Sequence, residues 1–229
     1  MKIFGKELKL IIFDVDGVIL DLYACFQDNL EWAAYAMNLP IEPIGLVLNA
    51  FSSGAHRGYP RLSENIKQLL WPSLNEHEIK IFIEFLIQAD RENPYPPIPG
   101  ALETVRFFRN NGVLTALCTT NNKNELFSKL MFANIDSNLF DFMTTGDTGF
   151  IKPNPRALSL ITDSLGIPKE NTIFVGDWYP DLDAAYAAGI EFIAVRTGKI
   201  PDFAFIREGV PKNHILDSIF DLTKIVTLD

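Results

Sequence analysis

The apolar run LIIF, residues 10–13, ends in two aspartates at alternate positions, Asp14 and Asp16, followed at once by Gly17. In an extended strand, residues two apart point the same way, which puts both carboxylates on roughly one side. Like charges there disfavour joint ionisation unless a cation or a shared proton compensates. One reading is a site; the other is a polar strand end entering a glycine turn, and these residues alone do not separate the two. Later apolar runs end in groups that bear on the choice. Val113–Cys118 is followed by Thr119 and Thr120, then Asn121 and Asn122. Hydroxyls ahead of a helix suit phosphate oxygens, because free backbone N–H groups and the helix dipole face the anion. An ordinary helix cap uses the same residue types. Phe140–Thr144 leads into TGDTGFIKPNP, where Lys152 either reaches a phosphate as a point charge or stands in solvent. Thr172–Val175 leads into Gly176 and Asp177, with Asp181 four residues on; acids at a helix start also favour its dipole. Together these segments offer two aspartates, a hydroxyl, a lysine and a second acidic pair. Such an oxygen-rich cluster suits Mg²⁺, which takes one or two carboxylates, waters and substrate phosphate.

Bringing these residues together requires a particular frame. Helical patterns at Leu102–Arg109, Asn124–Phe132, Pro155–Leu165 and Asp181–Ala188 separate the apolar runs, of which Phe192–Val195 is the last. Short apolar strands alternating with helices predict βαβ units: an α/β, Rossmann-like parallel sheet with helices on both faces. Ligands of such sheets bind beyond the carboxyl ends of the strands, where all these side chains lie. Residues 23–91 break the alternation and read as helix after helix, at Tyr23–Met37, Pro43–Phe51, Leu62–Leu70 and Glu76–Arg91. ENPYPPIPG follows, with four prolines in nine residues, a stiff extended connector. The expectation is an α-helical domain at residues 21–92, inserted into a core made of residues 1–20 and 93–229.

Composition is consistent with that frame. The 229 residues have room for one domain plus an insertion. An apolar share of 48%, with 18 phenylalanines, argues against disorder. A net charge of −9 and the absence of any basic run argue against a nucleic-acid partner. The opening stretch lacks a small-residue cleavage site and meets Asp14 too soon for a signal peptide. No apolar run approaches membrane-spanning length, so no membrane partner is expected, and a soluble cytoplasmic protein is the default. Cys25 and Cys118, far apart in apolar surroundings, read as reduced core residues.

At this point the chain resembles the haloacid dehalogenase superfamily, and within it the phosphoglycolate-phosphatase-like subfamily with a helical cap after the first motif. FDVDGVILD matches the first motif and LTALCTT the second, with its hydroxyl at Thr119. IKPNP matches the third at Lys152, and VGDWYPDLDAAYAAGI the fourth at Asp177 and Asp181. YPPIPGALETVRFFRNNG resembles the return from cap to core, and NHILDSIFDL the last strand and helix, which makes His214 a structural residue. Val18 replaces a commoner threonine, and Trp178 and Pro180 stand where the fourth motif often has small or amide residues. The cap offers little motif-level match, so the resemblance carries no substrate identity.

The resemblance implies a Mg²⁺-dependent phosphatase acting on a small phosphorylated metabolite, phosphoglycolate-like or a sugar phosphate, as a monomer or homodimer. Asp14 would be the nucleophile, forming an aspartyl-phosphate, and Asp16 the general acid and then base. Lys152, Thr119 and Thr120 would hold the phosphate. Asp14, Asp177 and the Asp16 main-chain carbonyl would hold the metal, with Asp181 supporting them. Family dehalogenases generally lack the second aspartate. Related sugar phosphomutases use a histidine in the early cap, and this chain has none before His56. A catalytically idle binding member would have lost a motif residue. In the cap, SSGAHRGYPR gathers His56, Arg57 and Arg61 around two glycines. His56 and Arg57 are candidates for substrate selection, against the alternative of a solvated turn. Trp32, Tyr35, Phe82, Phe85 and Leu86 read as cap core, and His77 as a surface residue.

Overall fold

A computed structural model describes residues 1–228. After two short strands, β1 (Lys2–Ile3) and β2 (Lys6–Glu7), the run Leu10–Phe13 forms β3. Before the next strand the chain makes α1 (Phe26–Ala36), α2 (Glu42–Ser52), α3 (Leu62–Asn65), α4 (Glu76–Glu92) and α5 (Ala101–Asn110). Strands and helices then alternate: β4 (Leu114–Cys118), α6 (Lys123–Phe132), β5 (Phe142–Thr144), α7 (Arg156–Leu165), β6 (Thr172–Gly176) and α8 (Tyr179–Ala188). The chain finishes with β7 (Glu191–Val195), α9 (Asp202–Arg207), β8 (Ile215–Leu216), α10 (Leu222–Ile225) and β9 (Val226–Thr227). Six strands form one parallel sheet in the order β5-β4-β3-β6-β7-β8, and β2-β1-β9 make a small antiparallel one.

Alternation explains why β3 is apolar throughout. Ile11 and Phe13 pack on one face with Val105, Phe108 and Leu130, whereas Leu10 and Ile12 pack on the other with Leu158, Ile161 and Leu182. A strand buried on both faces cannot alternate with polar residues. Its register fixes the site. Phe13 pairs with Leu117 on one side and Val175 on the other. Asp14 therefore comes level with Cys118 and Gly176, and Thr119 and Asp177 lie one step beyond.

The helical insertion has its own apolar cluster, in which Leu30 and Ala33 of α1 and Phe82 and Leu86 of α4 are buried. α4 starts where Asn75 accepts from the amides of His77 and Glu78 at 2.9 and 3.0 Å and Glu78 reaches back to the Asn75 amide at 2.8 Å, a reciprocal cap. His77, in that first turn, is exposed. Tyr35 departs from the expected cap core: it is 82% exposed. The buried stripe of α1 runs through Leu30, Ala33 and Ala34, at helical spacing, and one stripe suffices where a helix has neighbours on one side only. Trp32 is partly exposed and meets Phe85 edge-on. The segment expected as one helix over 62–70 is α3 followed by a π-helical turn, Ile66–Leu70. The two connections to the core run side by side: the Asp21 amide donates to Pro96 O at 2.8 Å and the Ile98 amide to Ile19 O at 2.9 Å.

Candidate active site

β3 delivers Asp14 to the carboxyl edge of the sheet, where its amide donates to Val175 O at 2.9 Å. Its Oδ1 lies 2.6 Å from the Lys152 ammonium, which reaches in from the segment between β5 and α7. The same ammonium lies 2.6 Å from Asp181 Oδ1, in the first turn of α8. Asp181 Oδ2 accepts from the amides of Asp177 and Trp178 at 3.2 and 3.0 Å, so both Asp181 oxygens are engaged. Asp177, between β6 and α8, is different: its Oδ1 is buried with no hydrogen-bond partner. Side chains at Gly17, whose φ is +83°, or at Gly198 would collide with that carboxylate, so glycine clears the space around it.

Three buried carboxylates thus lie around one lysine that pairs with two of them, Asp14 and Asp181, and their electrostatics reflect the excess of negative charge. Burial first, and the neighbouring Asp181 charge next, push the Asp14 carboxyl up from 3.8 to about 7, against the pull of Lys152. Burial, Asp14 and Asp181 hold Asp177 well above the usual carboxylate range. Burial works to lower the Lys152 ammonium, but Asp14 and Asp181 outweigh it and raise it. A divalent cation would relieve this excess of negative charge. One carboxylate oxygen from each of Asp14, Asp177 and Asp181 lies within 4.8 Å of the others. The oxygen-only donors and the unpartnered Asp177 oxygen fit Mg²⁺. Asp181, with both oxygens committed to Lys152 and the backbone, fits a supporting place behind Asp14 and Asp177.

Asp16 lines the same cavity, of about 210 Å³, but has its own partners. Asn121 Nδ2 donates to its Oδ2 at 2.7 Å, and the Lys129 ammonium lies 2.8 and 2.9 Å from its two oxygens. β3 ends at Phe13, so strand geometry no longer governs the pair, and each aspartate has a separate lysine. Lys129 also sits 5.1 Å from the Tyr95 ring centre. The Tyr95 hydroxyl donates to Asp90, which accepts from Asn29 at 2.9 Å. A polar chain therefore runs from Asp16 to the connector and to α1 and α4. Thr119 is buried, and its Oγ1 accepts from the Asn121 amide at 3.1 Å, leaving its proton to donate. Thr120 lines the cavity beside it. The N-cap of α6 is Asn122, paired reciprocally with Glu125 at 2.8 and 2.9 Å.

Trp178 and Pro180 line the cavity, and Phe51 of α2 meets the Trp178 ring edge-on at 5.1 Å. His56 and Arg57 do not line it. His56 Nδ1 accepts from the Gly58 amide at 2.8 Å, and its ring lies 6.0 Å from both Phe51 and Tyr59. The Arg57 guanidinium stacks 4.5 Å over Tyr179 and pairs with Asp183 at 2.7 Å and Glu208 at 3.5 Å, tying the insertion to the core. Sequence reasoning passed over Lys129 and over Asn121 as a partner of Asp16. No motif marks a mid-helix lysine, and only the folded chain shows that it reaches Asp16. A second cleft, about 690 Å³, opens between α4 and α6; it shares Lys129 but none of Asp14, Lys152 and Asp177.

Known proteins place the chain. A sequence profile of haloacid dehalogenase-like hydrolases matches residues 8–189. A phosphoglycolate phosphatase of Pseudomonas syringae is 30% identical over 85% of this chain and 71% of its own length. One from Haemophilus influenzae is 29% identical over 97% of this chain and 100% of itself. Among solved structures, a predicted phosphoglycolate phosphatase from Haemophilus somnus superposes with a TM-score of 0.79 at 24% identity, covering 96% of this chain and 98% of that one. A proposed beta-phosphoglucomutase from Thermotoga maritima does so with 0.74 at 20% identity, covering 96% and 100%; at these identities the structures establish the fold alone. By its sequence profile and its curated relatives, the chain belongs to the haloacid dehalogenase-like hydrolases, in their phosphoglycolate-phosphatase-like branch.

Proposed function

We propose that this chain is a Mg²⁺-dependent phosphatase that hydrolyses a small phosphorylated metabolite through an aspartyl-phosphate on Asp14. The convergence of Asp14, Lys152, Asp177 and Asp181 at the carboxyl edge of the sheet carries this reading. The phosphoglycolate phosphatases among its relatives support the reaction class. Residues 21–92 serve as the cap over that edge. Asp14 and Asp177 through their carboxylates, and Asp16 through its main-chain carbonyl, would hold Mg²⁺, which would supply the positive charge that lets an anionic carboxylate approach a phosphate dianion.

The chain's own groups do the rest. Lys152 holds Asp14 Oδ1 at 2.6 Å, which orients the carboxylate, and is itself held by Asp181. An Asp14 oxygen attacks phosphorus in line as the bond to the leaving oxygen breaks. That oxygen takes the proton of the Asp16 carboxyl. In the second half, water attacks the phosphorus of the aspartyl-phosphate and gives its proton to Asp16, which restores Asp14 and releases inorganic phosphate. Asn121 and Lys129 both donate to Asp16, which fixes the position of its carboxyl group in the cavity. Thr119 and Thr120 donate to phosphate oxygens, and Lys152 balances their charge. Positioned acid–base transfer is worth about 10²–10⁴ in rate; positioning and charge stabilisation supply the remainder.

A phosphomutase reading gains no support from the cavity. His56, the first histidine, accepts from Gly58 and does not line it. The test is phosphate release from a panel of phosphate esters with Mg²⁺, with excess EDTA, and with Asp14→Asn. Mg²⁺-dependent release lost in the variant is expected; release that survives both EDTA and the substitution refutes the proposal.

A further inference from the structure

The walls of the cavity differ sharply in chemistry. The core floor carries the charges: Asp14, Asp177, Lys152 and Asp16 with Lys129. The roof comes from the insertion, which contributes Tyr23, Phe26, Leu48, Phe51, Tyr59 and Leu62, and Trp178 closes it against Phe51. Asn65 is the one amide on that roof, and it is fully engaged. Its Oδ1 accepts from the Tyr59 amide at 2.8 Å, and its Nδ2 donates to Tyr59 O at 2.8 Å and Arg61 O at 3.0 Å.

Cationic groups lie elsewhere. Among the described residues, no lysine, arginine or histidine of the insertion lines the cavity. Arg57 is turned outward onto Tyr179, Asp183 and Glu208. Arg61 is exposed and lines a neighbouring groove. Lys152 and Lys129 belong to the floor and are paired with Asp14, Asp181 and Asp16. With the phosphoryl group on the floor, the leaving group meets aromatic and aliphatic side chains, Tyr23 and Tyr59 among them.

Resting on the phosphatase reading, we infer that the substrate is a phosphate monoester of an uncharged, largely apolar alcohol. A leaving group with its own carboxylate, as in phosphoglycolate, would lose water against this roof without gaining a counter-ion, which costs heavily. An added hydroxyl is rejected less strongly by an apolar wall, so the discrimination is against charge first. The 210 Å³ cavity must hold the phosphoryl group as well as the alcohol, and a benzene ring alone takes a cavity of roughly 150 Å³ in an apolar protein interior, which limits the alcohol to a small body.

The test measures kcat/KM of the full chain with Mg²⁺ for benzyl phosphate, phosphoglycolate and the isosteric amide of phosphoglycolate. The amide is expected to exceed the acid by about 10²-fold, the effect of one unpaired desolvated charge, with benzyl phosphate at or above the amide. Tyr59 is 38% exposed, and its hydrogen bonds to Asn65 use its backbone, so its side chain can be exchanged without removing them. Tyr59→Lys is expected to narrow the amide-to-acid ratio at least tenfold by placing a cation on the roof. An acid turned over as well as its amide overturns the inference while leaving the phosphatase reading intact. So does an Arg61→Ala variant that loses activity on the acid alone, because Arg61 would then be the missing counter-ion. If no ester releases phosphate above the Asp14→Asn background, the phosphatase reading fails and takes this inference with it.

Discussion

Replacing Asp14 by asparagine should abolish turnover and at the same time stabilise the metal-free protein. Burial and Asp181 raise the Asp14 carboxyl from 3.8 in the unfolded chain to about 7 in the fold. The folded state therefore holds a proton that the unfolded state releases between those values. Where the folded state binds more protons, stability falls as pH rises, so the metal-free protein loses stability from about pH 4 to about pH 7. At about 1.4 kcal/mol per pH unit the loss amounts to about 4 kcal/mol. Asparagine carries no charge at any of these pH values, and Lys152 keeps Asp181 at 2.6 Å. In EDTA at pH 8, Asp14→Asn should be the more stable protein by up to about 4 kcal/mol, a rise in Tm of about 8–16 °C for a chain of this size. At pH 4 the two should coincide. Saturating Mg²⁺ should stabilise the wild type, by about 2.7 kcal/mol at a hundred times Kd, and the variant much less. Urea or thermal unfolding at both pH values, with and without Mg²⁺, measures all of this. A variant less stable than wild type at pH 8 in EDTA would mean that the Asp14–Lys152 pair outweighs the desolvation of Asp14, and the reasoning would be wrong.

Four other outcomes are expected. Asp16→Asn should slow alkyl phosphates by about 10²–10⁴ and an activated aryl phosphate much less, since an aryl oxide leaves without a proton; equal losses would remove Asp16 as the acid. Asp177→Ala should raise the Mg²⁺ concentration needed for half-maximal activity at least tenfold, and Ca²⁺ should inhibit the wild type because its looser coordination misplaces the nucleophile; an unchanged Mg²⁺ titration counts against Asp177 as a ligand. Arg57→Ala should lower kcat/KM for every ester by a similar small factor without changing their ranking, as its exposed pairs with Asp183 and Glu208 are worth about 0.2–1 kcal/mol each; a loss confined to one ester would make Arg57 a substrate contact.

Much of the core was legible because local chemistry and register agree. β3 is apolar at every position because both of its faces are covered, and that pattern separates a parallel-sheet strand from an exposed one. Thr119, Asp177 and Asp14 then meet because each follows its strand by one residue and the strands are in register. Lys152 is marked by its motif, and its partners come from the end of β3 and the first turn of α8. What the sequence hides is reach. Lys129 lies 113 residues from Asp16 in the chain, inside a helix whose pattern looks the same whether that lysine faces solvent or a carboxylate. Arg57 stands in a glycine-containing loop that reads as a specificity loop, yet Tyr179, Asp183 and Glu208 draw it outward. Tyr35 has helical spacing to Trp32, but the neighbours of α1 cover only the stripe through Leu30 and Ala34. These are properties of the packed chain, and no local pattern encodes them.

The role of Asp14 is open to direct observation. Wild-type protein with Mg²⁺ and a hydrolysed ester, quenched in acid within a single turnover in ¹⁸O-water, should carry a phosphoryl group on the peptide containing Asp14. That species should decay as inorganic phosphate appears, with the solvent label in the phosphate and none in the Asp14 carboxylate. Full-rate release without a phosphorylated Asp14 peptide, a phosphoryl group on another residue, or solvent oxygen in the Asp14 side chain would contradict the mechanism.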